Sequence, residues 1–363
     1  MILSENWVEG HMELFTSEVK KEKMAWSHTH PLKKYMGSTQ LAKETTRIYT
    51  RRCQEAEKIT QTILLGVQNG EEIAVKVLHL DLKRDSEERF KKEFENLWKL
   101  EHQNIVRFLG YCYETNSEPA LFHGEIVQAE IINRALCFEC MPESLRKHLD
   151  DECHGLDWQR RYKIIKGMCE GLNYLHEGLG ERSMYHLDIK PDNILLDKNM
   201  VPKLADFGLS KLVADQRTHT TQSAIGTTRY LPPEYIKKNF FSNKLDIFSL
   251  GVVMIEVMTG AVGYNNIDDM SPEEFIDRVH ERWRNRLQGT PRCTSLEGQC
   301  NQVKKCIQIA LKCVLADRKQ RPNIGDILND LNETEREMHM RLPHQSRNDG
   351  GVSHNTDKDI DGP

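Results

Sequence analysis

No stretch of this 363-residue chain approaches the ~18 consecutive apolar residues of a membrane-spanning helix. The most apolar run, Ile247 to Met258, is broken by Ser249 and Glu256. The opening MILSENWVEGHM has neither the apolar core of a signal peptide nor a glycine after Met1 for myristoylation. An intracellular protein is therefore expected. An excess of one charge is missing too: 50 Lys and Arg stand against 55 Asp and Glu, a formal net charge of −5. That balance excludes the broad basic surface of a nucleic-acid binder. The ten cysteines show no disulfide-like rhythm, and in a reducing compartment they read as small buried hydrophobes. Internal repeats are absent.

One cysteine pair has another reading. Cys137 and Cys140 in CFEC have metal-knuckle spacing, and Cys153-His154 follows. A zinc site ordinarily needs a second such pair, so a zinc-organised interaction module is the weakest functional reading.

Residues 1 to 48 are polar, with basic clusters (KKEK, PLKK) and no clear periodicity. They read as an extension. From Gly66 the pattern sharpens: LLGVQNGEEIAVKVL is two alternating runs around Asn69-Gly70, a dipeptide that accepts the positive φ angles of a tight hairpin turn. DSEERFKKEFENLWKL predicts a helix, with Asp85 and Glu88 as a capping box and Phe90, Phe94, Leu97 and Trp98 on one stripe. Glu93 lies on or beside that stripe, where a carboxylate is costly unless a cation meets it. NIVRFLGYCYE and ALCFECM read as further strands. From Asp157 the chain turns helical, and LDIFSLGVVMIEVMTG is apolar nearly all round, as a central buried helix would be. The tail from Arg341 has a disordered composition. A small β-rich part before a larger helical part predicts an α+β protein of two lobes around a cleft.

Near the junction, HLDIKPDNILL sets Asp188, Lys190, Asp192 and Asn193 among Leu187, Ile189, Ile194, Leu195 and Leu196. A solvated loop does not need those apolar residues, and a core strand does not tolerate those charges. The segment resembles the catalytic loop of protein kinases, and other signatures of that family follow in order over residues 64 to 332. The resemblance implies Asp188 as acceptor of the substrate hydroxyl proton, Lys190 near the transferred phosphate and Asn193 as a Mg²⁺ ligand. IAVKVL resembles the strand whose lysine, here Lys76, holds the ATP α- and β-phosphates, with Glu93 as its ion-pair partner and Ala74 beside the nucleotide. ADFG supplies Asp206 as the principal Mg²⁺ ligand. GTTRYLPPEY resembles the end of an activation segment, and Asp246 and Arg321 resemble the residues that brace the catalytic loop and pair with Glu234. Phe138 falls at the gatekeeper position, with Glu139, Cys140 and Met141 as adenine-binding hinge, so CFEC has a bland explanation as the strand joining the lobes. ATP and Mg²⁺ are the implied cofactors. The chemistry is coherent, because phosphoryl transfer needs positioning and charge compensation and Mg²⁺ prefers hard oxygen ligands.

Lys190 two residues after Asp188 is the serine/threonine-kinase form. NIVRFLGYC, GLNYLHEG, PEYI and DRKQRPNIGDIL resemble plant receptor-like kinases, particularly cytoplasmic members, a group that shares its architecture with interleukin-receptor-associated kinases. The implied division is an extension over 1–48, an N-lobe with hinge over 49–141, a C-lobe over 142–340 and a tail over 341–363.

Two departures stand out. Leu187 replaces the arginine that in many kinases pairs with a phosphorylated activation loop. Such non-arginine kinases are often found in innate-immune signalling, whereas drift at a tolerated position is the bland reading. The second is a missing residue type. The family expects G-x-G-x-x-G just before LLGV, but CQEAEKITQTILL, Cys53 to Leu65, has no glycine, and backbone without glycine cannot approach phosphate as closely. The segment is expected to be a loose flap. No Walker-type phosphate loop replaces it. The leading reading is an ATP-dependent serine/threonine kinase in receptor-linked signalling, cytoplasmic or held at the plasma membrane through partners. It would act on protein substrates below a receptor or receptor-like kinase. The alternative is a catalytically impaired, kinase-shaped scaffold that binds partner proteins.

Overall fold

In the computed structural model of the chain the described residues are 47–49, 61–68, 70–78, 85–122, 124–149, 155–214, 219–220, 226–261, 263–266, 270–289 and 296–340. Strands β1 (Arg47–Tyr49), β2 (Gln61–Gln68), β3 (Glu71–Leu78), β4 (Phe108–Phe122) and β5 (Glu125–Glu139) form one antiparallel sheet of order β1-β2-β3-β5-β4. The turn between β2 and β3 contains Gly70 at φ +83°, as the dipeptide pattern requires. Gln61 to Leu65 pair with Leu78 to Ala74 in β3, so this end of the glycine-free segment is sheet and not flap. Ile63, Leu65 and Val67 share one face, and buried Leu64 and Gly66 the other, so this is a strand with apolar residues on both faces. Residues 53–60 lie outside the described set, as do most of the extension, the tail and Cys153-His154.

Helix α1 (Asp85–Leu97) lies over the sheet. Its stripe buries Phe90, Phe94 and Leu97. Phe94 meets Tyr111 edge-on at 4.9 Å between centroids, and Phe90 lies tilted against Tyr113 at 5.5 Å. The side chains of Asp85 and its neighbours through Glu87 lie outside the described residues, so the capping box does too.

The C-lobe holds β6 (Glu143–Ser144), α2 (Arg146–Leu149), α3 (Trp158–Glu177), β7 (Ser183–Tyr185), β8 (Ile194–Leu196), β9 (Pro202–Leu204), β10 (Lys211–Val213), β11 (His219–Thr220), α4 (Pro233–Lys238), β12 (Phe240–Phe241), α5 (Asn243–Thr259), α6 (Pro272–Gln288), α7 (Leu296–Cys313) and α8 (Ile324–Met340). Asp157 caps α3 by accepting the Arg160 N–H at 2.8 Å. In α5 every residue from Leu245 to Met258 is buried. Three of them, Asp246, Ser249 and Glu256, are polar, and each has hydrogen-bond partners. Among the described residues no three or more histidine, cysteine, aspartate and glutamate side chains are gathered as a zinc ion requires. Cys137 is buried within β5, and burial pushes its thiol up to about 12.

Gly251 lets α5 and α7 approach closely. A Cβ there would lie 2.5 Å from Cys313 Cβ and 3.0 Å from the Ala310 carbonyl oxygen. Gly251→Ala is expected to destabilise the protein by roughly 1–3 kcal/mol through overpacking. Gly289→Ala, whose Cβ would meet nothing closer than 3.7 Å, should stay within about 0.5 kcal/mol of the parent. Denaturant unfolding of the two variants side by side measures the difference.

Candidate active site

Lys76 projects from β3 into the space between the sheet and α1. Its Nζ lies 2.6 Å from Glu93 Oε1 and 2.8 Å from Asp206 Oδ1, and both Lys76 and Glu93 are buried. The misplaced carboxylate of the α1 stripe thus meets its cation. Burial alone would lower the lysine pKa, but Asp206 and then Glu93 outweigh it, and the net shift is upward. The charged form therefore adds stability throughout the neutral range and loses it only as pH rises through the lysine range.

Asp206 reaches this position because β8 and β9 pair antiparallel, Ile194 opposite Leu204. One further step, the Ala205 N–H donated to the Asn193 carbonyl at 2.9 Å, brings Asn193 beside the 205–206 turn. Asp206 itself takes a left-handed conformation, φ +65°. Phe207, fully buried, packs on the His186 ring at 5.0 Å. Asn96 on α1 donates to the Phe207 and Ser210 carbonyls at 3.3 and 3.0 Å, tying the helix to this turn.

The polar residues of HLDIKPDN converge. Asp188 Oδ2 accepts from Lys190 Nζ and from Asn193 Nδ2, both at 2.8 Å. A second Asn193 hydrogen goes to the Asp188 carbonyl at 2.9 Å, so the amide oxygen is the atom Asn193 retains for a cation. The Thr227 hydroxyl donates to Asp188 Oδ1 at 3.0 Å and accepts from Lys190 at 2.8 Å. The structure makes Thr227 a strut between the 226–230 segment and the loop.

Leu187 sits at φ +66°, a region that disfavours residues with a Cβ. Two N–H groups hold it there: Leu187 N–H to Asp246 Oδ1 at 2.7 Å and His186 N–H to Asp246 Oδ2 at 2.8 Å. His176 Nε2 stands 2.9 Å from the same carboxylate. The Leu187 side chain is fully buried with Tyr185, Tyr235, Phe241 and Leu245. No arginine could keep its charge in that apolar cluster without a partner.

The hinge residues line up behind Lys76. Ala74 lies opposite Phe138, and Ile73 opposite Glu139. Glu139 Oε1 accepts from Lys203 Nζ at 2.8 Å and from the Arg107 N–H at 2.7 Å, so its side chain braces the strand end. Phe138 and Met141 are half-buried against the main core. Below the loop, Arg321 grips Glu234 through two bonds of 2.7 and 2.8 Å, the fork geometry that makes such pairs strong.

A further cluster escaped the sequence reading. Fully buried Glu256 accepts from Arg229 Nε at 2.8 Å and from the Tyr230 hydroxyl at 3.0 Å. Tyr230 in turn accepts from Arg146 at 2.6 Å, and Arg146 reaches Asp192 at 3.2 Å. Burial pushes the Glu256 carboxyl up, against the pull of the two arginines, and pushes the Tyr230 hydroxyl up to about 12. Only a break in an apolar helix, at Glu256, hinted at this in the sequence.

The model of the protein kinase domain matches residues 35–331. The chain belongs to the protein kinase family. It is 36% identical over 278 residues to cysteine-rich receptor-like protein kinase 44 of Arabidopsis thaliana, covering 73% of this chain and 68% of that one. It is also similar to cysteine-rich receptor-like protein kinases 28 and 14 of the same plant, at 39% and 34% identity over 72% and 73% of this chain. The chain spans only 37% and 39% of the length of those two relatives. Among the described residues no helix is long and apolar enough to cross a membrane.

In this chain, removing Lys76 leaves two carboxylates facing each other. Lys76→Met should destabilise by about 3–5 kcal/mol, the scale of breaking a buried pair. Lys76→Met combined with Glu93→Leu should recover part of that loss. Thermal and urea unfolding of the single and double variants gives the coupling, and strict additivity would contradict the arrangement.

Proposed function

We propose that the chain is an ATP-dependent serine/threonine protein kinase that moves the γ-phosphate to protein hydroxyls in receptor-linked signalling. The observation that carries this reading is the convergence of Asp188, Lys190, Asn193 and Thr227 in one hydrogen-bonded set, adjoining the Lys76–Glu93–Asp206 triad. These groups come from elements far apart in sequence and otherwise have no reason to meet. In this reading Asp188 orients the attacking hydroxyl and takes its proton, and Lys190 neutralises charge on the transferred group. Lys76 holds the α- and β-phosphates, Glu93 fixes Lys76, and Ala74, Phe138, Glu139 and Met141 shape the adenine pocket. Asn193 and Asp206 hold Mg²⁺, whose chemistry is to compensate charge on the phosphates. The donor set suits that ion, because a carboxylate and an amide oxygen are hard ligands. The lobes run over 49–141 and 142–340, flanked by the extension 1–48 and tail 341–363. Proteins are the substrates, an upstream receptor or receptor-like kinase is the partner, and the cytoplasmic side of the plasma membrane is the place of action.

Autophosphorylation of the purified chain with Mg-ATP tests the activity. Asp188→Asn should remove most of it while leaving the unfolding transition in place. Equal transfer by the parent and by Asp188→Asn would sink the kinase reading.

The glycine-free segment before Leu65 bears on strength, and it is the observation that favours a scaffold. Losing two or three N–H bonds to phosphate, at roughly 1.5–3 kcal/mol each before water compensates, weakens nucleotide binding by about tenfold to a thousandfold. A G-x-G-x-x-G segment grafted in front of Leu65 should raise Mg-ATP affinity and transfer together. Calorimetry of parent and graft decides this. Tight, equal binding in both would show that the glycines are dispensable here, and no binding in either would favour the scaffold.

A further inference from the structure

The hairpin of β4 and β5 is far longer than the sheet needs. β3 accompanies β5 only from Ala135 to Glu139. Beyond that, β4 and β5 continue as a two-stranded ribbon from the Tyr113–Arg134 pair to the Phe122–Glu125 pair, a reach of about 30 Å at the usual rise per residue. Its base is anchored, since the Arg134 guanidinium lies 3.3 Å above the Tyr113 ring and Tyr113 packs on Phe90. Near its end Leu121 and Ile126 face each other across the ladder, 75% and 78% exposed, beside Val127. Scattered single hydrophobics on a surface need no explanation, but a cross-strand pair this exposed does.

Two further observations say what covers it. Residues 114 to 133 contain Glu114, Glu118, Glu125 and Glu130 and no lysine or arginine. The ribbon therefore repels a second copy of itself and attracts a cationic chain. Among the described residues no strand pairs with the outer edge of β5 between residues 125 and 134. The outer edge of β4 contains Pro119, and proline withholds a ladder donor and is tolerated where its nitrogen faces outward. The β5 edge has no such block.

We propose that the β4–β5 ribbon is a docking arm for a partner protein. The partner's basic segment, with apolar residues at alternate positions, adds as a strand to the outer edge of residues 125–134 and covers Leu121 and Ile126. Main-chain hydrogen bonds supply the attachment, and the charge and the apolar pair select the partner. The arm lies apart from the phosphoryl-transfer residues and works whether or not transfer does.

Fluorescence anisotropy tests it with two labelled probes of about ten residues, the length of the free edge: one alternating lysine and valine, the other glutamate and valine. The parent chain should bind the lysine probe at least about tenfold more tightly than the glutamate probe, and less tightly as salt rises. The double substitution Leu121→Ser with Ile126→Ser, and separately Glu125→Lys, should each weaken the lysine probe about tenfold. Neither should alter autophosphorylation or the unfolding transition. Amide exchange over residues 125–134 should slow when the lysine probe is bound. Failure to bind that probe, equal binding of both probes, or unchanged binding by both variants overturns the proposal. Dimerisation seen by sedimentation and abolished by Leu121→Ser with Ile126→Ser would also overturn it, assigning the arm to a second copy.

Discussion

A single carboxylate on the buried helix α5 holds the 186–193 loop in shape. Asp246 is fully buried in the first turn of α5, where the partial positive charge of a helix start favours an anion. It accepts from two consecutive backbone N–H groups and stands beside His176. Forcing Leu187 into the left-handed region costs roughly 1–2 kcal/mol. Two hydrogen bonds to a charged acceptor, at about 1.5–3 kcal/mol each, outweigh that. The turn at Leu187 directs Asp188 toward Lys190 and Asn193, and the geometry of that hydrogen-bonded set follows from it.

This bracing comes from inside the C-lobe. Where many members of the family carry an arginine, this chain places a leucine that packs with Tyr185, Phe241 and Leu245. The loop is connected to the 226–230 segment by the neutral hydroxyl of Thr227 and, through Asp192 and Arg146, by the Tyr230–Glu256 group. Organisation is built from hydrophobic packing and internal ion pairs. A phosphate added to Thr227 would remove the hydroxyl hydrogen that Asp188 receives and set two anions against each other.

What could be read in the sequence was what local pattern encodes. The hairpin at Gly70, the stripe of Phe90, Phe94 and Leu97, and the all-round apolar α5 each declared themselves by period or turn chemistry. Lys76, Glu93, Asp188, Asn193 and Asp206 were found through ordered motifs, and Glu93 additionally by being a charge where the helix wanted none. The rest depended on contacts distant in sequence. Nothing near Thr227 announces Asp188, and nothing near Arg229 announces Glu256. The ribbon beyond Tyr113 was missed because Asn116, Ser117 and Pro119 are poor strand formers, although Gly124 at its turn takes φ +87°. Residues 61–65 were read as flap because the missing glycines drew attention away from the apolar run Ile63-Leu64-Leu65, which pairs with β3.

Lys76 also constrains how the molecule is made. Its two partners lie 17 and 130 residues further along the chain. As the chain leaves the ribosome, the sheet and α1 can assemble early, with Glu93 alone to match the buried lysine. The site remains open on one side until the 205–206 turn has been synthesised and β9 has paired with β8. Such non-local closure is slow, and the waiting N-lobe leaves apolar surface and sheet edges exposed to other chains. Nascent chains stopped before Asp206 should therefore be handled by chaperones as unfinished, whereas those extending through α8 are not.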